Sequence, residues 1–290
     1  MWLGLKIPLL YCLLFGALIS PTDAVAVFGI LNKHTNDISL KARINGESLF
    51  NDGTAIVLFV TILSFATHKE TSFVMSSVVI QLIWKIIGGI ILGWLSAWVV
   101  SQFFKRIDSY DVEIMFTLAL AVGCYALAEV LHVSEPISVA VAGLFIGNST
   151  RKRAMSQKTK EHLGVFWELL DEILNAVLFI LIGLELILIE FNMKIILLSL
   201  FSAIAIIIAR YISVLLCGIP LVKKGFDIKK LPILMTWAGL RGGISIALAL
   251  SVSGKYKELI LALTYSCVVF SIIVQGTTLG KVLNFFEKKN

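Results

Sequence analysis

Runs of about 20 residues with almost no charge, each long enough to cross ~30 Å of hydrocarbon as a helix, recur along the whole 290-residue chain. They lie near 5–31, 44–66, 73–104, 111–131, 160–189, 194–220, 231–253 and 258–283, with a shorter uncharged segment at 136–150. In hydrocarbon every backbone polar group needs a partner within the protein, and a helix supplies it internally. The expected fold is therefore all-α, a polytopic transmembrane helical bundle. Composition agrees: 15% of residues are charged, against about a quarter in soluble domains. Mean hydropathy is +0.92, so polar surface is too scarce to cover a globule in water. Cys12, Cys124, Cys217 and Cys267 are dispersed one per apolar run. With no CxxC and no His in metal spacing, they read as small core hydrophobes.

Loop charge sets the number of crossings. With nine spans, one side receives Lys33, Lys41, Arg43, Lys105, Arg106, Arg151, Lys152, Arg153, Lys158, Lys160, Lys223, Lys224, Lys229, Lys230, Lys288 and Lys289, sixteen basic residues. The other receives four, Lys69, Lys194, Lys255 and Lys257. The positive-inside rule places the sixteen, and the C-terminus, in the cytoplasm. Eight spans, with 136–150 not crossing, would scramble the asymmetry. The net charge of +6 thus belongs to the membrane and not to nucleic acid. The first apolar run lacks a strong charged n-region and continues through Pro-Thr-Asp, so it reads as a span and not as a cleaved signal. One transmembrane domain over 1–290, multi-pass in the cell membrane, is the expectation.

Ionisable residues within spans cost about 2.5–3.5 kcal/mol each on insertion scales and point to function. Asp23, Glu47, Asp52, Arg210 and Arg241 qualify, whereas Glu129, Glu185 and Lys85 are nearer span ends or able to snorkel. Asp23 lies in "ISPTDAVAV", where proline removes a donor and disfavours helix before it. The helix should break there, as at transporter ion sites. An ordinary proline kink with a satisfied Asp is the plainer reading. Ser48 and Asp52 share one helical stripe and Glu47 and Asn51 the next. For these acids the plainer reading is a helix N-terminus at the membrane surface. It suits Glu47 better than Asp52, which opens onto fifteen uncharged residues, 53–67. Arg210, in mid-span, requires an acidic partner. Arg241 sits among Gly239, Gly242 and Gly243, which permit unwinding. Small-residue helix packing is the alternative, as expected for Gly89/Gly93 and Gly143/Gly147.

"ISPTDAVAV", "GESLFNDGTAIVLF", "IARYISVL" and "WAGLRGGISIALAL", in this order, resemble the monovalent cation/proton antiporters of the NhaP and Na⁺/H⁺ exchanger type. Ala24 departs from the second proline common in that family. The resemblance implies broken, crossing helices as part of an inverted-repeat antiporter fold, working as a homodimer. It implies that Asp52 carries Na⁺ and H⁺ alternately, with Asp23, Thr22 and Ser48 completing the site. Asp23 and Asp52 would then ligate a metal only as the transported monovalent cation, Na⁺ first and K⁺ or Li⁺ otherwise. Asn51 and Arg241 would support the site, and Glu47 and Arg210 would pair. An Asn-Asp pair resembles the branch exchanging one cation for one proton. The family usually has more spans than nine, so the expectation is an N-terminally truncated exchanger domain, with activity as an isolated fragment in question.

Neither an enzyme nor a cofactor is expected, since no nucleotide motif or large soluble domain is present. The partners expected are a monovalent cation, protons and the bilayer. Two rivals are an intramembrane aspartyl protease using Asp23 and Asp52, which lacks its Gly-x-Gly-Asp here, and a passive cation channel lined by acids.

Overall fold

The computed structural model describes residues 7–35, 37–67, 75–105, 107, 109–150, 155–187, 193–220, 227 and 230–287. Among them are twelve α-helices and no strand. In order they are α1 (Leu9–Leu18), α2 (Ala24–His34), α3 (Ile38–Thr67), α4 (Met75–Phe104), α5 (Tyr110–Val130) and α6 (Glu135–Phe145). There follow α7 (Gln157–Ile187), α8 (Met193–Gly218), α9 (Leu231–Trp237), α10 (Gly243–Leu250), α11 (Lys257–Phe270) and α12 (Thr277–Glu287). Two π-helical segments, Ile146–Thr150 after α6 and Ser271–Gly276 between α11 and α12, complete the set. Among the described residues, five stretches are long and apolar enough to cross a membrane: Ile38–Ala66, Val79–Phe104, Tyr110–Val130, Ile195–Gly218 and Lys257–Phe286. Many of the basic residues behind the topology lie outside the described residues: Lys69, Arg106, Arg151, Lys152, Arg153, Lys223, Lys224, Lys229, Lys288 and Lys289. The side chain of Glu185 does too.

Two of the expected spans are each split into two short helices. Pro21 disfavours helix at Ser20, and α1 stops at Leu18. The chain restarts at Asp23, whose Oδ1 accepts from Ala26 N–H at 3.0 Å as the N-cap of α2. In the second case α9 ends at Trp237 and α10 begins at Gly243, with Gly239 and Gly242 in the gap.

The chain folds as two compact units, Met1–Asp52 with Ile182–Asn290, and Gly53–Leu181. In the first, α8 packs on α9 and α11, α10 on α1 and α11, and α12 on α2. Its core is Val27, Leu31, Leu40, Ile44, Leu234, Met235, Leu240, Leu279 and Leu283, so α2, which follows the first gap, and α9, which precedes the second, share one apolar cluster.

In the second unit α4, α5 and α6 pack together around Ala97, Phe104, Leu120, Cys124, Ala142 and Ile146. Gly89, Gly93, Ala97 and Ser101 recur every fourth residue on the buried side of α4. A Cβ at Gly89 would come within 2.9 Å of the Ser134 carbonyl oxygen, and one at Gly93 would collide with the Ser138 backbone. This is the small-residue packing expected there. Gly143 and Gly147 differ from expectation: nothing lies within 4 Å of a Cβ at either, so they mediate no close approach among the described residues. The opposite stripe of α4, with Ile80, Trp84, Ile87, Ile91, Trp94 and Trp98, is exposed, Trp84 at 66%. An apolar helical stripe turned outward is what a lipid solvent allows and water does not. Of the cysteines, Cys124 and Cys267 are buried as expected, Cys12 partly so, but Cys217 is exposed.

Candidate functional site

The two gaps cross within the first unit. Asp23 N–H donates to Leu240 O at 2.8 Å, which joins the end of one gap to the middle of the other. Arg241 reaches back through Nη1 to Pro21 O at 2.9 Å and also to Ser20 O. Its side chain is buried, with the residue 7% exposed. Gly242 lies against Asp23, and a Cβ there would sit 2.7 Å from Asp23 Oδ2. Only glycine permits that approach. The unwinding and close backbone approach that the glycines around Arg241 permit are both present here.

Helix α3 brings its polar stripe to the crossing. It starts at Ile38, not at 44 as the apolar run suggests, so Glu47 is more than two turns inside and Asp52 nearly four. The surface N-terminus reading of these acids is thereby removed: the dipole effect fades within the first turn. Asp52 Oδ1 accepts from Thr22 N–H at 3.0 Å. Ser48 Oγ donates to Thr22 O and stands 3.4 Å from Asp52 Oδ2. Asn51 Nδ2 donates to Ser20 O at 2.5 Å, while its Oδ1 accepts from Ser20 Oγ at 3.0 Å.

The carbonyls freed by the break at Ser20, Pro21 and Thr22 are all taken by donors from Asn51, Arg241 and Ser48. A bare helix break would leave them exposed. Here three side chains cover them, and the carboxylates of Asp23 and Asp52 border the same stretch of backbone.

Arg210 stands beside this cluster on α8. Its Nη1 lies 2.9 Å from Glu47 Oε1, and Nη2 donates to Glu47 Oε2 at 3.1 Å. Nε and Nη2 also donate to Met235 O at 3.1 and 2.9 Å. A two-pronged carboxylate contact suits the planar guanidinium, and Met235 O is one of the acceptors that the end of α9 leaves unpaired. Gly239 makes room, since a Cβ there would collide with the Arg210 guanidinium.

All eight residues singled out from sequence, Thr22, Asp23, Glu47, Ser48, Asn51, Asp52, Arg210 and Arg241, therefore gather in one unit. Sequence reasoning missed Ser20, whose hydroxyl and carbonyl both bind Asn51. It also missed Ser271 and Gln275, buried at 2% and 4%. A glutamine within an apolar run was a visible signal for the last. Glu129, adjoining the end of α5, is exposed. No group of three or more His, Cys, Asp or Glu is placed to hold a resident metal among the described residues.

Residues 1–285 match the family described as sodium/hydrogen exchanger, transmembrane. The chain is 44% identical over 285 residues to the Na(+)/H(+) antiporter NhaP of Pseudomonas aeruginosa, covering 97% of this chain and 67% of that relative. It is 35% identical to the Na(+)/H(+) antiporter NhaH of Halobacillus aidingensis, with 96% and 69% covered. It is 31% identical to sodium/hydrogen exchanger 7 of Arabidopsis thaliana, with 95% of this chain but 25% of the much longer plant protein covered. The chain thus spans about two thirds of the length of these NhaP and NhaH relatives, with both helix gaps and the α3 stripe inside the matched region. This multi-pass helical membrane protein belongs to the sodium/hydrogen exchanger family.

Proposed function

We propose that the crossing of the two gaps is a cation/proton exchange site, in which Asp52 takes up either a monovalent cation, Na⁺ first, or a proton. The observation that supports this most is the placement of Asp52 nearly four turns into α3, at the head of the fifteen uncharged residues 53–67, facing a break in another helix. A carboxylate in such a place is costly to leave bare, because little water solvates it. Oδ1 is held by the Thr22 amide. Ser48 Oγ lies within hydrogen-bonding reach of both Thr22 O and Asp52 Oδ2; with its hydrogen on Thr22 O, the Ser48 lone pairs and Asp52 Oδ2 form an oxygen face for a hard cation. Asp23 adds a second carboxylate through Oδ2, while its Oδ1 caps α2. A proton on Asp52 and a cation beside it compete for the same charge. If the loaded forms rock between sides and the bare form does not, downhill movement of one drives the other. Glu47 serves Arg210 and is not part of the exchanging pair.

The names of the relatives, Na(+)/H(+) antiporters, fit this reading. A homodimer in the cell membrane, with a cytoplasmic C-terminus, is part of the same proposal. Dye-reported pH in everted vesicles carrying the chain, on addition of Na⁺, Li⁺ or K⁺, tests it. Asp52→Asn should reduce cation-driven proton movement to that of vesicles without the protein, since an amide holds neither proton nor charge. Asp23→Asn should abolish it or greatly weaken cation affinity, and Glu129→Gln should leave it largely intact. Cation flux without proton movement would favour a channel. Full exchange by Asp52→Asn would overturn the site assignment.

A further inference from the structure

Unwinding a helix frees backbone groups that need partners elsewhere. At the gap between α9 and α10, side chains from a third element take two of them. Ser271 Oγ accepts from Arg241 N–H at 3.0 Å and donates to Gln275 Oε1 at 2.6 Å. Gln275 Nε2 then donates to Thr236 O at 3.4 Å. Both residues belong to the π-helical segment Ser271–Gly276, a widened turn of the kind that is frequent at functional sites. With Arg210, Gly239, Arg241 and Cys267 they line one small cavity.

The peptide group between Leu240 and Arg241 is the hinge of this arrangement. Its C=O accepts from Asp23 N–H, and its N–H is bound by Ser271. A peptide is a rigid plane, so a side chain that holds one end fixes the orientation of the other. The same residue's guanidinium covers Ser20 O and Pro21 O. Whatever fixes the backbone of Arg241 therefore sets both the Asp23 amide and two carbonyls of the opposite gap.

We propose that Ser271 and Gln275 are positioning residues for the ion site: they hold the Leu240–Arg241 peptide in the orientation that organises the gap around Thr22 and Asp23. The consequence for transport rests on reading the crossing as an exchange site, whereas the consequence for backbone order does not. Both are measured on S271A, S271T and Q275M in vesicles. Hydrogen–deuterium exchange of peptides covering 17–23 and 236–243 reads the backbone. The Na⁺ concentration giving half-maximal proton movement, compared with the maximal rate, reads the site. Loss of one buried hydrogen bond should speed amide exchange in both segments by about 3- to 10-fold. In S271A the half-maximal Na⁺ concentration should rise by a similar factor with the maximal rate little changed, and S271T, which keeps the hydroxyl, should recover most of it. Q275M should fall between. Local loosening with a parent chain that moves no protons would sink the exchange reading and leave the positioning role standing. Parent-like amide exchange in S271A, or loosening spread evenly through the chain, would overturn the positioning role.

Discussion

The Arg210 guanidinium is bound on one edge by a carboxylate 163 residues away and on the other by a backbone carbonyl. Few of its hydrogens are left to lipid or water, and its side chain is 9% exposed. Removing one partner strands the other; the Glu47 side chain is 29% exposed, so the loss should lie below the ~3–5 kcal/mol of fully buried pairs. Arg210→Ala and Glu47→Gln should each lower the melting temperature in detergent. The double variant E47L/R210M should melt above either E47L or R210M, because neither charge is then left alone. Arg241→Ala should cost less than Arg210→Ala, since it uncovers neutral carbonyls and no carboxylate. Melting of both single variants at the parent temperature would refute the pairing. Arg210's need for an acid followed from its place in an apolar run, but the choice of Glu47 came from the family resemblance, because no spacing rule links positions so far apart.

At the scale of elements, two glycine pairs that look alike in sequence behave differently. Gly89 and Gly93 lie where α4 touches α6, and the Ser138 backbone fills the space a side chain at 93 would need. Gly93→Ala should therefore destabilise by about 1–3 kcal/mol, the usual cost of overpacking. Gly143→Ala meets nothing within 4 Å and should be neutral or stabilising by up to about 1 kcal/mol through helix propensity. Thermal melting of the two side by side checks the contrast, and equal losses would contradict it. A pair of glycines four apart identifies a helix face that could pack closely. Which neighbour arrives there is decided by the fold.

At the scale of the whole molecule, the charge asymmetry between loops makes an orientation testable. In a background with Cys12, Cys124, Cys217 and Cys267 replaced, Ser156→Cys should react with an impermeant thiol reagent from the cytoplasmic side. Met193→Cys should react only from the outside. Labelling of both from one side would rule out nine crossings. The exposed Trp84, Trp94 and Trp98 stripe accords with a chain whose outer surface is lipid-facing.

Sequence alone determined that this chain is helical and membrane-embedded, because hydrocarbon imposes span length and internal hydrogen bonding on any chain that enters it. It also located the breaks near Pro21 and Gly239–Gly243, since proline and glycine act through their own covalent geometry. Only the tertiary structure decided that the two breaks meet, that three side chains cover the carbonyls freed by the first of them, and that Ser271 and Gln275 serve a gap about 30 residues earlier in the chain. It also set the start of α3 at Ile38, before the apolar run begins. These outcomes depend on which backbone groups lie within hydrogen-bonding distance after packing, and residue type alone carries no record of that distance.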